Sequence, residues 1–225
     1  MNTMFVSRWL MVSPKGPITC ADSGDLVHLR QGDADGACGP YALMMALVTA
    51  DILERREITD MDLWDGRSRE GKFRNALIDH GALISSGTTG QDLTNLAHYF
   101  RGRGIEARQV SGNKKLLVKE VRKALDEDDI PLIGVSWSCH SGHWMMVVGH
   151  QGFEQEGQYQ LTHLLCLDPS AEAPKTSLWN AVIEVFTEDG LSASRGLYSC
   201  RHWGMDGNPS GCKLDEAVML KRYDT

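Results

Sequence analysis

The stretch YALMMALVTA, residues 41–50, constrains the fold more than any other. It is apolar almost all the way round a helical wheel, and its first charge comes only at Asp51. A helix that is apolar on every face cannot lie on a surface and has to be enclosed. The spacing predicts a central, buried helix from about Cys38 to Glu57, with the rest of the chain wrapped around it. Pro40 suits the first turn, where its missing N–H is no loss. The wrapping material is present, because 225 residues with 42% hydrophobic and 24% charged side chains suffice for one well-cored domain over 1–225.

Weaker helical periodicity predicts further helices over about 70–80, over QDLTNLAHYFRG ending at Gly102, and over NKKLLVKEVRKALDEDD. The acidic run 126–129 reads as a solvated helix end. Strand patterns then take over: PLIGVSW from Pro131, two apolar runs flanking Glu154-Gln155-Glu156-Gly157, and AVIEVF, GLYSCRHW and EAVMLKRY. Helices first and antiparallel strands after them make an α+β chain. Pairing Glu154 with Gly157 in the hairpin puts His143 opposite Asp168, on one face with Cβ atoms ~5 Å apart.

Charge and cysteine usage exclude several functions. The formal net charge is −7 and the basic residues are dispersed among acids, so no nucleic-acid partner is expected. The apolar N-terminus is interrupted by Arg8 and lacks the form of a signal peptide. No stretch approaches the about 20 apolar residues that cross a bilayer, so no membrane association and a cytoplasmic location are expected. Six cysteines (20, 38, 139, 166, 200 and 212) sit irregularly and read as free thiols. No CxxC pair occurs, and His163 and Cys166 fall on opposite faces of a strand, so neither a metal nor another cofactor is implied.

Cys38 is the residue with chemistry to explain. At a helix start its sulfur faces unpaired N–H groups and the positive end of the helix dipole, which favours thiolate. A cysteine beside an apolar run is also common core packing, so the choice needs further residues. A nucleophilic thiol needs a base, and the base an acceptor on its other ring nitrogen. His143 and Asp168, coupled by the hairpin, fill those roles. His143 is preferred over His140 because the apolar strand starts directly after it. Gln31, with the main-chain N–H of Cys38, would donate to the oxyanion that forms on attack. Gly36, Gly39, Trp144 and His140 are the expected lining of the substrate site, with Trp144 shielding the His–Asp contact. Trp137, Trp179 and Trp203 read as core or cleft wall, and Asp33 and Asp35 as parts of a polar loop.

QGDADGACGPYALMMAL, IPLIGVSWSCHSGHWMMVVGH and LLCLDPS, in this order, are similar to the papain-like cysteine peptidases, most of all the C39 and C39-like group. The resemblance covers about 28–172 and leaves 175–225 as additional strands. It implies a papain-like fold, with a helical N-terminal part and its buried central helix packed on a C-terminal antiparallel sheet. It implies Cys38 as nucleophile, His143 as general base and acid, Asp168 as orienting acid and Gln31 as oxyanion donor. Gln31 stands seven residues before Cys38, where the group's usual spacing is six. Peptide cleavage of a protein or peptide substrate is the implied activity, and members of the group often cut after Gly-Gly. Glutamine deamidation and transglutamination share the thioester and stay open, as does a non-catalytic peptide-binding module. A stand-alone enzyme of this kind fits a maturation protease or a toxin or effector; the latter implies an immunity or inhibitor protein over the cleft.

Overall fold

The computed structural model describes residues 1–32, 36–78, 87–138, 141–155 and 157–223. The apolar N-terminus forms an edge strand, β1 (Asn2–Val6), and is followed by a small hairpin of β2 (Leu10–Ser13) and β3 (Gly16–Thr19). The central helix α1 spans Cys38–Thr49, and of its residues only Tyr41 is not buried. It is shorter than the expected Cys38-to-Glu57 helix. Asp51 takes a left-handed conformation (φ 59), which turns the chain so that Ile52 and Leu53 fold back onto the core. Asp is among the few non-glycine residues that adopt this conformation readily. A new short helix, α2 (Arg55–Thr59), then starts at a capping box between Glu54 and Glu57.

Helices α3 (Arg69–Ile78) and α4 (Gly90–Ala97) follow, the second started by a capping box between Thr89 and Asp92. The α-helix stops before the expected Gly102 and continues as a tighter 3-10 turn over His98–Arg103, ended by Gly104 at φ 84. Strand β4 (Ile105–Ser111), helix α5 (Lys114–Asp126) and strand β5 (Ile130–Ser138) lead into the hairpin of β6 (Ser141–Gln155) and β7 (Gln158–Leu167). Three more strands complete the chain: β8 (Ala181–Glu184), β9 (Cys200–Trp203) and β10 (Pro209–Arg222). The end of α5 is less solvated than its acidic run implies. Asp129 is buried, because the left-handed turn at Asp128 folds its backbone N–H onto the Ala124 carbonyl.

All strand pairings are antiparallel, in keeping with the α+β reading. The sheet, however, closes on itself. The order β6–β5–β10–β9–β8–β7 returns to β6 as a six-stranded barrel, while β1 extends from β6 and β4 from β10. Closure leaves no free edge around the barrel. Alternation along the shared strands divides two cores. Leu132, Trp144, Met146, Val148, Val218 and Leu220 point outward onto α1 and the other N-terminal helices. Ile133, Val135, Met145, Val147, Ala217 and Met219 point to the other side, with Leu164, Cys166, Ile183, Cys200 and the apolar face of α5. Both sides of β5, β6 and β10 are therefore covered. Helix α1 packs against β6, which brings its N-terminus to the strand that carries His143.

Candidate active site

Three elements bring their ends together. Cys38 is the first residue of α1, His143 lies near the start of β6, and Asp168 directly follows β7. The hairpin register differs by two from the expected one: Gln155, not Glu154, opens the ladder, opposite Gln158. Two register shifts, between Val147 and Gly149 and between Gln151 and Gly152, offset each other. Continuing the ladder past Met146↔Leu167 sets Met145 opposite Asp168, with His143 diagonal to it on the same face. Diagonal neighbours remain within reach of long side chains. His143 Nε2 lies 2.7 Å from Asp168 Oδ1.

The Cys38 thiol is hydrogen-bonded to the same imidazole, which leaves Nδ1 as the nitrogen turned to sulfur. Burial pushes the thiol up, but the hydrogen bond and positive charge of His143 outweigh it. The backbone N–H groups of Trp144 and Gly39 add to the effect and leave Cys38 below its ordinary value. Ala37 gives α1 no side-chain cap and the first turn holds no acid, so among the described residues none is seen to compete with the sulfur for the helix N-terminus. Burial alone would lower His143; the hydrogen bonds to Asp168 and Cys38 raise it instead, to about 10. Asp168 is pushed up by burial and pulled further down by His143 and Ser170, to about 2. The arrangement favours thiolate beside imidazolium, with a carboxylate behind them.

Several further residues fix Asp168. Ser170 donates to Oδ1 from its N–H (2.7 Å) and its hydroxyl (2.6 Å). Asn180, only 4% exposed, clamps the main chain. Its Oδ1 accepts from Asp168 N at 2.6 Å, and its Nδ2 donates to the carbonyls of Asp168 (2.9 Å) and Glu172 (3.0 Å). Buried His28 places Nε2 3.0 Å from the Asp168 carbonyl. A polar Asn at the mouth of the apolar run AVIEVF was the available signal; His28 offered none.

The remaining expected residues divide. Gln31 donates its backbone N–H to the carbonyl of Pro169, beside Asp168, and its side-chain Oε1 is buried without a partner among the described residues. That atom is an acceptor; donation to an oxyanion falls to Nε2 of the same amide. Gly36 is half-buried ahead of α1. Gly39 is no cleft surface: a Cβ there would sit 1.9 Å from Thr88 Oγ1, so the space is occupied by protein. Trp144 is not cleft wall either. It is 4% exposed, packs in the outer core and donates Nε1 to the Thr88 carbonyl at 2.8 Å, because strand alternation turns it away from His143. The aromatic ring next to His143 is Trp137 instead, with centroids 6.1 Å apart. His140, Cys139, Asp33 and Asp35 lie outside the described residues. Among the described residues no group of three or more His, Cys, Asp or Glu is placed to share a metal ion, and no helix is long and apolar enough to cross a membrane.

No protein-family model and no curated protein matches this chain. Among solved structures it is similar to the crystal structure of UfSP from C. elegans, with a TM-score of 0.47 and 14% identity. That likeness covers 100% of this chain and 35% of the other, so this chain spans about a third of that protein's length.

Proposed function

We propose that the protein is a papain-like cysteine peptidase that cleaves a peptide bond through Cys38, His143 and Asp168. One observation carries the reading: the Cys38 thiol is hydrogen-bonded to an imidazole whose Nε2 lies 2.7 Å from a buried carboxylate. The Cys38 thiolate attacks the scissile carbonyl carbon, and the charge moves to the carbonyl oxygen. The N–H of Cys38 and the Gln31 amide are the donors for that oxyanion. His143 gives its proton to the leaving amine as the C–N bond breaks, leaving a thioester on Sγ. Water then attacks the thioester, His143 takes its proton, and the acid product leaves Cys38 as thiolate beside imidazolium. Asp168 keeps Nε2 of the imidazole engaged throughout, so that Nδ1 faces sulfur.

The resemblance to the C39 group makes peptides containing Gly-Gly the first substrates to try. The test is a peptide library incubated with the protein or with Cys38→Ala and read by mass spectrometry. New termini, enriched after Gly-Gly and absent with Cys38→Ala, are expected. Cleavage that persists in Cys38→Ala overturns the reading. So does a product altered only by glutamine deamidation or cross-linking, which would keep the thioester and replace the peptidase step.

A further inference from the structure

His202 stands behind the proposed triad with no role assigned to it. It lies on β9 two residues after Cys200, so alternation turns it to the same barrel-interior side. Its Nε2 is buried, has no hydrogen-bond partner among the described residues, and stands 3.8 Å from Oδ2 of Asp168. The hydrogen bonds on the Asp168 carboxylate among the described residues all fall on Oδ1: those from His143 and from the N–H and hydroxyl of Ser170. His202 stands beside the second oxygen. The Trp137 ring meets His202 edge-on at 5.3 Å, and its own Nε1 donates to Ser210 Oγ at 2.9 Å, so the imidazole is braced from β5 and β10.

We propose that His202 is a positioning residue: its Nε2–H, aimed at Oδ2, holds the Asp168 carboxylate so that Oδ1 stays on His143. The inference rests on the cysteine-peptidase reading. A separation of 3.8 Å exceeds a hydrogen bond, but charge–dipole attraction still acts over it in a buried site. Such contacts also commonly tighten when substrate binds. The role requires a neutral His202. Burial pushes it that way and the charge on His143 adds to this, against Asp168 and the Asp206 carboxylate in the turn after β9. A protonated His202 would instead compete with His143 for the same carboxylate.

The test needs no substrate. The rate of iodoacetamide labelling of Cys38 is followed against pH by peptide mapping in the native protein, His202→Phe and His202→Gln. Phenylalanine keeps a ring against Trp137 but has no N–H; glutamine supplies one. With the carboxylate loosened, His143 is less basic and the thiolate less favoured. The acid limb of labelling should therefore move up by about one pH unit in His202→Phe, and return most of the way in His202→Gln. If His202→Phe does not fold by circular dichroism, His202→Met serves the same arm. A limb unmoved in the variant lacking the donor overturns the inference, as does a shift that glutamine does not reverse. A native protein whose Cys38 labels like an ordinary thiol overturns the peptidase reading itself, and this inference with it.

Discussion

Asn180→Asp is nearly isosteric and tests how the acid of the site is held. The retained Oδ1 still accepts from Asp168 N, but Nδ2 becomes an oxygen facing the carbonyls of Asp168 and Glu172, at present 2.9 and 3.0 Å away. Two hydrogen bonds of roughly 1 kcal/mol each are lost, and a carboxylate oxygen set against two carbonyl oxygens costs about 1 kcal/mol or more in addition. Protonating the new carboxyl restores one donor at the expense of raising its pKa. The expected loss of stability is about 3 kcal/mol at pH ~7, shrinking toward pH ~4 as the new carboxyl keeps its proton. For a chain of 225 residues that is a fall of roughly 6–12 °C in Tm. Urea denaturation at both pH values measures the loss, and peptide cleavage should fall as well because the Asp168 backbone shifts. A stability within about 1 kcal/mol of native at pH ~7 would refute the claim that Asn180 anchors Asp168.

Gly39→Ala should destabilise the protein by about 1–3 kcal/mol, because its Cβ meets Thr88 Oγ1 at 1.9 Å and Leu93 Cδ2 at 3.2 Å. Adding Thr88→Ala should recover most of that loss in thermal denaturation. Asp129 is raised to about 6, first by burial and then by Glu127 and Asp128, against Lys221 and Arg108. A carboxylate raised in the folded state lowers stability as pH climbs from about 4 through about 6, so Asp129→Asn should gain about 2 kcal/mol at pH ~7 and nothing at pH ~4. For the reaction, the active form pairs a Cys38 thiol lowered from its ordinary value with a His143 raised to about 10. Cleavage should therefore fall on the acid side as the thiolate is protonated and on the alkaline side near pH ~10 as the imidazolium is lost. A rate constant from pH ~4 to ~10 would exclude the pair.

The buried helix was legible because ten consecutive positions without a charge, 41–50, leave no face for water. The strands were legible for the same local reason. Barrel closure was not, since it depends on the pairing of β7 with β8 and of β9 with both its neighbours, which no local period encodes. Cys38, His143 and Asp168 could be read from order and spacing, yet the hairpin register came out two residues away. The turn decides it, since the two bulges cancel before Met146. Adjacency to His143 suggests that Trp144 lines the same site, whereas strand alternation turns neighbours to opposite faces. Asn180, His28 and His202 reach Asp168 from remote segments, and only the folded chain brings them to it.

The most direct test of the central claim is brief iodoacetamide treatment at pH ~6, with intact mass and peptide mapping, of the native protein and His143→Ala. Ordinary thiols react slowly at that pH. A single fast adduct on Cys38 in the native protein, lost in His143→Ala, is the predicted result. Slow labelling scattered over several cysteines, or fast Cys38 labelling that survives removal of the imidazole, would contradict a thiolate–imidazolium pair at the head of α1.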